Sequence, residues 1–280
     1  MEDAVRAWTF RSAVPDGPEI TALLVADGAG GHNAGEVASD ICARLTPAHL
    51  AAWFASGHGE ANAGSGALAD ALVYALRRAN AAVLRRACES PETAGMATTA
   101  VCALLVGDRC SVAWVGDSRC YLYSNGTLYR ITHDHSERQR LLDAGLLGKS
   151  DILFPSHQAH TIHRYCGQPK GFQPEVRVLR IRPGNMLILC TDGLTDVLMD
   201  EEIADILRTY AASEEACDQL PVRLVDAALA AGATDNVTLL CCKYEPSPYL
   251  CASIPAETLT GAYPAAMAKV LFPVKEVEYV

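Results

Sequence analysis

A surplus of positive charge is the first thing this 280-residue chain lacks: 33 Asp and Glu stand against 23 Lys and Arg, a formal net charge of −10. So acidic a chain has no electrostatic footprint for a nucleic-acid backbone or an anionic membrane surface, and neither is expected as a partner. No apolar run approaches the roughly 20 residues that a membrane span needs. The opening MEDAVRAWTF begins with two acids, unlike the basic start of a signal peptide. Cys-x-x-Cys is also missing, and the eleven cysteines are scattered. Cys102, Cys190, Cys241 and Cys242 lie inside apolar runs, where a thiol behaves as a small hydrophobe. Thiolate pairs at zinc-ligand spacing are absent, and this length needs no disulfide staples, so a reducing cytoplasm is expected. What the chain does have is 50% hydrophobic and 20% charged residues, a globular composition sufficient for one large domain or two small ones.

Residues 20–26 (ITALLVA) read as a strand ended by Asp27-Gly28. The Gly-rich segment behind it feeds a helix marked by Val37, Ile41 and Leu45, with Asn33 as its expected N-cap. Residues 67–88 read as a second helix with Leu68, Leu72, Leu76, Val83 and Leu84 buried; Arg77-Arg78 and Arg85-Arg86 fall on one solvated face. From residue 97 the period becomes that of strands. TTAVCALLV and CSVAWVG flank Gly107-Asp108-Arg109, and CYLYS and TLYRI flank Asn125-Gly126, the strongest short hairpin signal. A short helix at 135–146 and a flap at about 147–165 follow. Strands are expected at 176–181, 186–190 and 236–244, and helices at 200–209 and 214–231. Consecutive hairpins mean antiparallel sheet, so the expected class is α+β with helices outside the sheet. Residues 247–280 read as a C-terminal extension that docks a partner or covers a sheet edge.

Three apolar strands end in an aspartate: Asp27 after TALLVA, Asp117 after VAWVG and Asp192 after LILCT; Asp235 stands before the last strand. Any one of these is ordinary turn chemistry. Four at strand ends imply carboxylates gathered at one rim, and these raise one another's pKa unless a cation compensates. Hard oxygen ligands suit Mg²⁺ or Mn²⁺, and an ion pair bridged by a carboxylate activates water and clamps a phosphoryl group. The residues by themselves therefore point to metal-assisted hydrolysis, with a phosphate ester as the leading substrate.

The sequence VADGAGGH at 25–32, with GEVAS at 35–39, resembles the bacterial metal-dependent Ser/Thr protein phosphatases of the type-2C family. The same family order continues through MATTA (96–100), VGDSR (115–119), THDHS (132–136), IHRYCG (162–167), CTDGL (190–194) and TDNVT (234–238). The match runs from about residue 1 to 244, and seven ordered motifs make it specific. It implies two antiparallel sheets sandwiched between helix layers, a phosphatase domain at 1–246 and a flap at 147–165. By the same resemblance Asp27 bridges two ions, Asp192 and Asp235 bind the first, and the Gly28 carbonyl binds the second. Asp117 shares a weaker third ion with Asp192, and Glu2 and Asp3 orient water as second-layer groups. It further implies Mn²⁺ or Mg²⁺ as cofactor, direct attack of activated water on phosphoserine or phosphothreonine without a phosphoenzyme, an opposing Ser/Thr kinase, and a cytoplasmic monomer.

Three departures stand out. The family's phosphate-binding Arg precedes the acidic pair, whereas this sequence starts at Met1, and neither Arg6 nor Arg11 matches it. Either the true start lies upstream or another cation substitutes. Ala29 stands where eukaryotic members have a His proposed as general acid, so no such acid is assigned, and His32 reads as a loop or cap residue. Ala97 replaces a usual Gly. Residues 145–150 miss the spacing of a phosphate-binding P-loop, residues 28–33 miss the dinucleotide fingerprint, and Ser118 lacks a nucleophile elbow. Two alternatives stay open: a catalytically weak phosphatase-fold binding module, and a hydrolase of small phosphate esters.

Overall fold

The computed structural model describes residues 2–11, 19–29, 34–56, 65–148, 161–210, 214–246 and 266–271. Strands β1 (Ala4–Arg11), β2 (Glu19–Ala26), β5 (Ala100–Val106), β6 (Arg109–Val115) and β9 (Glu175–Arg180) form one sheet in the order β1-β2-β5-β6-β9. A second sheet has the order β12-β11-β10-β7-β8, from β7 (Arg119–Ser124), β8 (Thr127–Arg130), β10 (Met186–Cys190), β11 (Leu239–Pro246) and β12 (Ala266–Leu271). A ribbon pairs β3 (Gly28–Ala29) with β4 (Ala97–Thr98). Every pairing is antiparallel, as the hairpins predict.

The strands explain their own continuous apolar runs. In β2, Ile20, Ala22 and Leu24 pack under the helices α1 (Gly35–Ala55) and α2 (Ser65–Ala87), while Leu23 and Val25 face the other sheet. In β10, Leu187 and Leu189 meet them there, and Met186, Ile188 and Cys190 turn to α5 (Asp200–Tyr210) and α6 (Glu214–Ala230). A strand alternates faces at every residue, so two covered faces make every position apolar. The result is an α-β-β-α sandwich with three apolar seams.

Several details differ from the sequence reading. β1 was not anticipated. Asn33 and His32 lie outside the described residues; the residue before α1 is Ala34, in a left-handed conformation with φ 58°. Leu84 is only half-buried, whereas the other four named α2 leucines and valine are buried and Arg77, Arg78 and Arg85 are exposed. The short helix α3 spans Glu137–Asp143, capped by the Ser136 hydroxyl, which accepts from Gln139 N at 3.3 Å. Of the expected flap, residues 149–160 lie outside the described set. Residues 161–163 are pinned: Thr161 O accepts from Glu137 N at 2.8 Å, and His163 N donates to His135 O at 2.9 Å. The strand expected at 236–244 begins at Leu239 and is not the last, because β12 pairs along it from Pro246↔Ala266 to Cys241↔Leu271. The described part of the extension thus covers a sheet edge, which limits edge-to-edge association.

Candidate active site

Register alone brings the aspartates together. β2 and β6 end, and β5 begins, at one rim of the first sheet, through the pairs Val25↔Val101 and Ala100↔Val115. β10 ends where β11 begins, through Cys190↔Leu239. β1 starts opposite the end of β2, through Ala4↔Ala26, which carries Glu2 and Asp3 to the same place. A cleft of about 230 Å³ opens there, lined by Glu2, Asp27, Gly28, Ala29, Thr99, Asp117, Ile162, Asp192 and Asp235. Asp3 is buried beside it at 7% exposure.

Backbone contacts fix these groups. Asp27 N donates to Thr99 Oγ1 (2.9 Å), while Asp27 O accepts from Thr99 N (2.8 Å) and Thr98 Oγ1 (2.9 Å). Thr99 Oγ1 also meets Ser118 Oγ at 2.7 Å, tying the Asp27 loop to the Asp117 loop. Glu2 N donates to Asn236 Oδ1 (3.1 Å), and Glu2 O accepts from Ser39 Oγ (2.5 Å) and Gly28 N (3.2 Å). Asp192 opens the one-turn helix α4 (Asp192–Thr195), and Thr191 N donates to Thr238 O at 2.9 Å. Glycine at 28 has a different reason from the one its neighbouring aspartate suggests. A Cβ there would strike the Gly35 and Glu2 backbones, and one at Gly35 would lie 2.6 Å from Gly28 O, so packing of α1 against the loop demands both. A Cβ at Gly193 would likewise meet Asn236 O.

The electrostatics are those of crowded acids. Burial first, then Asp192 and Asp3, pushes Asp27 well above the carboxylate range. Burial, Asp192 and Asp134 push Asp117 up to about 8. Asp3 rises to about 6 through burial, offset by hydrogen bonding from Thr238, and Glu2 rises through burial and the charge of Glu36. The carboxylates and the Gly28 carbonyl form an all-oxygen donor set, which fits Mg²⁺ or Mn²⁺. Among the described residues no three His, Cys, Asp or Glu close into a ready cage. That suits ions which keep several waters and take one or two carboxylates each. No Lys or Arg lines the cleft among the described residues, and Arg6 donates to Val5 O instead.

All seven sequence-named residues therefore meet at one rim, with Glu2 in the cleft wall itself rather than behind it. Thr99, Ile162, Ser118 and Asn236 were missed: they sat inside recognised motifs, but no chemical signal singled them out.

A two-sheet sandwich that gathers carboxylates at one rim is a scaffold for divalent-cation chemistry. The comparisons make that class specific: residues 4–237 match the family described as Protein phosphatase 2C, and the chain belongs to it. It is 34% identical over 218 residues to the serine/threonine protein phosphatase PstP of Mycobacterium tuberculosis, covering 78% of this chain and 39% of that protein. The chain thus spans about two fifths of that relative's length. It is 32% identical to the serine/threonine phosphatase Stp of Listeria welshimeri, covering 78% of this chain and 82% of that one. Among solved structures, the catalytic domain of PstP in complex with two manganese ions superposes with a TM-score of 0.61 at 32% identity, over 85% of this chain and 96% of that one. No helix among the described residues is long and apolar enough to cross a membrane.

Proposed function

We propose that this chain hydrolyses phosphoserine and phosphothreonine on proteins at a two-ion aspartate site, with Mn²⁺ or Mg²⁺ as cofactor. The convergence of Glu2, Asp27, Asp117, Asp192 and Asp235 on one cleft carries the reading, because such an acidic rim attracts a phosphate only once cations reverse its field. Asp27, Asp192 and Asp235 would hold one ion, and Asp27 with the Gly28 carbonyl a second. Asp117 and Asp192 would hold a weaker third. Ions held there would supply water activation and charge neutralisation on the phosphoryl group.

The chain's own residues do the rest. Thr98 and Thr99 hold the Asp27 peptide on both sides. Asp3, buried next to Asp27, and Glu2, in the wall, would orient water. No general acid is assigned, since Ala29 lines the wall at that place. The opposing enzyme is a Ser/Thr kinase, and the protein works as a cytoplasmic monomer with a phosphatase domain at 1–246 and an extension at 247–280.

The test is hydrolysis of a phosphothreonine peptide by the full chain, with Mn²⁺ and then with EDTA. Turnover should need the ion. Asp192→Asn should lower kcat by at least about a hundredfold, beyond the roughly 10–100-fold that loss of an outer-shell partner costs. Metal-dependent binding of the peptide without turnover would convert the reading to a binding module. Turnover of small esters alone would remove the protein substrate.

A further inference from the structure

His135 does something unusual for a residue 19 positions along the chain from Gly116: it bonds both the N–H and the C=O of that residue. His135 N donates to Gly116 O at 3.0 Å, and Gly116 N donates to the ring nitrogen Nδ1 at 3.1 Å. A backbone N–H can only donate, so Nδ1 is the acceptor and a neutral ring carries its proton on Nε2. Nε2 lies 3.3 Å from Glu175 Oε1, which also takes Arg164 NH1 at 2.8 Å. The ring is buried at 3% exposure, stacked on Trp114 at 6.2 Å between centroids and met edge-on by His163. Burial and the Arg164 charge push its pKa down to about 4, which keeps it neutral.

Gly116 is pressed from the other side too. Its φ is +98°, and a Cβ would lie 2.6 Å from Thr99 Cγ2. The peptide is therefore held between Thr99, which fixes Asp27, and His135. The next residue is Asp117, in the cleft wall. His135 O further accepts from His163 N, one residue beyond Ile162 of the same wall.

We propose that His135 is a positioning residue for Asp117: its neutral ring, protonated at Nε2, clamps the Gly116 peptide and so holds the Asp117 carboxylate in line with the cleft. The proposal rests on the reading of Asp117 as an ion ligand. Asparagine places an amide oxygen near the position of Nδ1, whereas glutamine places its amide near Nε2, so the two substitutions separate the Gly116 clamp from the Glu175 contact.

The experiment uses the full chain and Mn²⁺ alone as the probe, in calorimetric titrations of the wild type, Asp117→Asn, His135→Asn and His135→Gln. Asp117→Asn and His135→Gln should both weaken the weakest binding step by about tenfold, the lower end of what outer-shell partners contribute. The stronger steps should stay within about twofold, and His135→Asn should match the wild type within about twofold throughout. Nitrogen NMR of the wild-type ring should show Nδ1 bare and Nε2 protonated, a result independent of any variant's folding. A proton on Nδ1 overturns the proposal outright. Equal losses in the Asn and Gln variants overturn it as well, because the ring would then only fill space. If Asp117→Asn weakens the last step and His135→Gln does not, the clamp alone fails. If Asp117→Asn changes no step, the ligand reading of Asp117 fails and the proposal falls with it.

Discussion

At Thr99 one hydroxyl serves two loops, accepting from Asp27 N at the cleft wall and meeting Ser118 Oγ in the buried interior. Thr99→Val keeps the shape and removes the hydroxyl, leaving the half-buried Asp27 N–H and the buried Ser118 hydroxyl without this partner; a loss of about 1–3 kcal/mol in urea unfolding is expected. Phosphopeptide kcat should fall with it, since Asp27 is released. The buried ring of His135 gives a second residue-level expectation. Its folded pKa, about 4, lies below the usual 6.5, so between these values the unfolded chain binds more protons and stability rises with pH. The contribution is fully present above about pH 6.5 and is lost as pH falls toward 4, a change of about 3 kcal/mol. Arg164 and His163 face the ring and hold the pKa down, while Glu175 opposes them. Thermal melts from pH 7 to pH 4 should show a shallower decline for His135→Asn than for the wild type. An identical decline refutes the assignment. At this scale the aspartates were legible because each ends an apolar run. Thr99 and His135 were not, because a threonine in a strand reads as a strand former and a histidine in a motif does not announce which peptide it grips.

Among the elements, the hairpins were the most legible parts of the fold. Asn125 and Gly126 take φ of 50° and 78°, the pair of positive angles that an Asn-Gly turn between twisted strands requires. Gly116, also at positive φ, serves the site instead, and the two glycines invite comparison. A Cβ at Gly126 meets nothing within 4 Å, so Gly126→Ala should cost only the backbone strain, about 1–2 kcal/mol, and leave activity unchanged. Gly116→Ala adds a collision with Thr99 to the same strain, and both its stability loss and its activity loss should be larger. Equal unfolding midpoints for the two variants contradict this account. β1 escaped the sequence reading because it is an edge strand of half-buried residues. Arg6 and Thr9 break its apolar pattern, and only pairing with β2 makes it a strand. β12 escaped for a related reason: its place depends on β11 offering an edge, which no local pattern records.

Over the whole molecule, the three seams supply the stability and the rim draws on it. The apolar seams pack both faces of β2, β5 and β10, while the rim holds acids whose pKa values burial and mutual repulsion raise. In a chain of net charge −10 that repulsion is a standing cost of the ion-free state. Asp192 is the charge that most raises Asp117 after burial, and it ranks the same for Asp27. Replacing it by the isosteric amide should therefore have opposite effects in two conditions. In EDTA, Asp192→Asn should melt above the wild type, because one repelling carboxylate is gone. With Mn²⁺ at a hundred times the wild-type Kd, the wild type should gain about 2.7 kcal/mol by mass action. The variant should gain far less, and the order of the two melting curves should reverse. A variant that melts lower in both conditions makes Asp192 a structural group and removes the rim's electrostatic cost. A variant that gains as much from Mn²⁺ as the wild type removes Asp192 from the ion site.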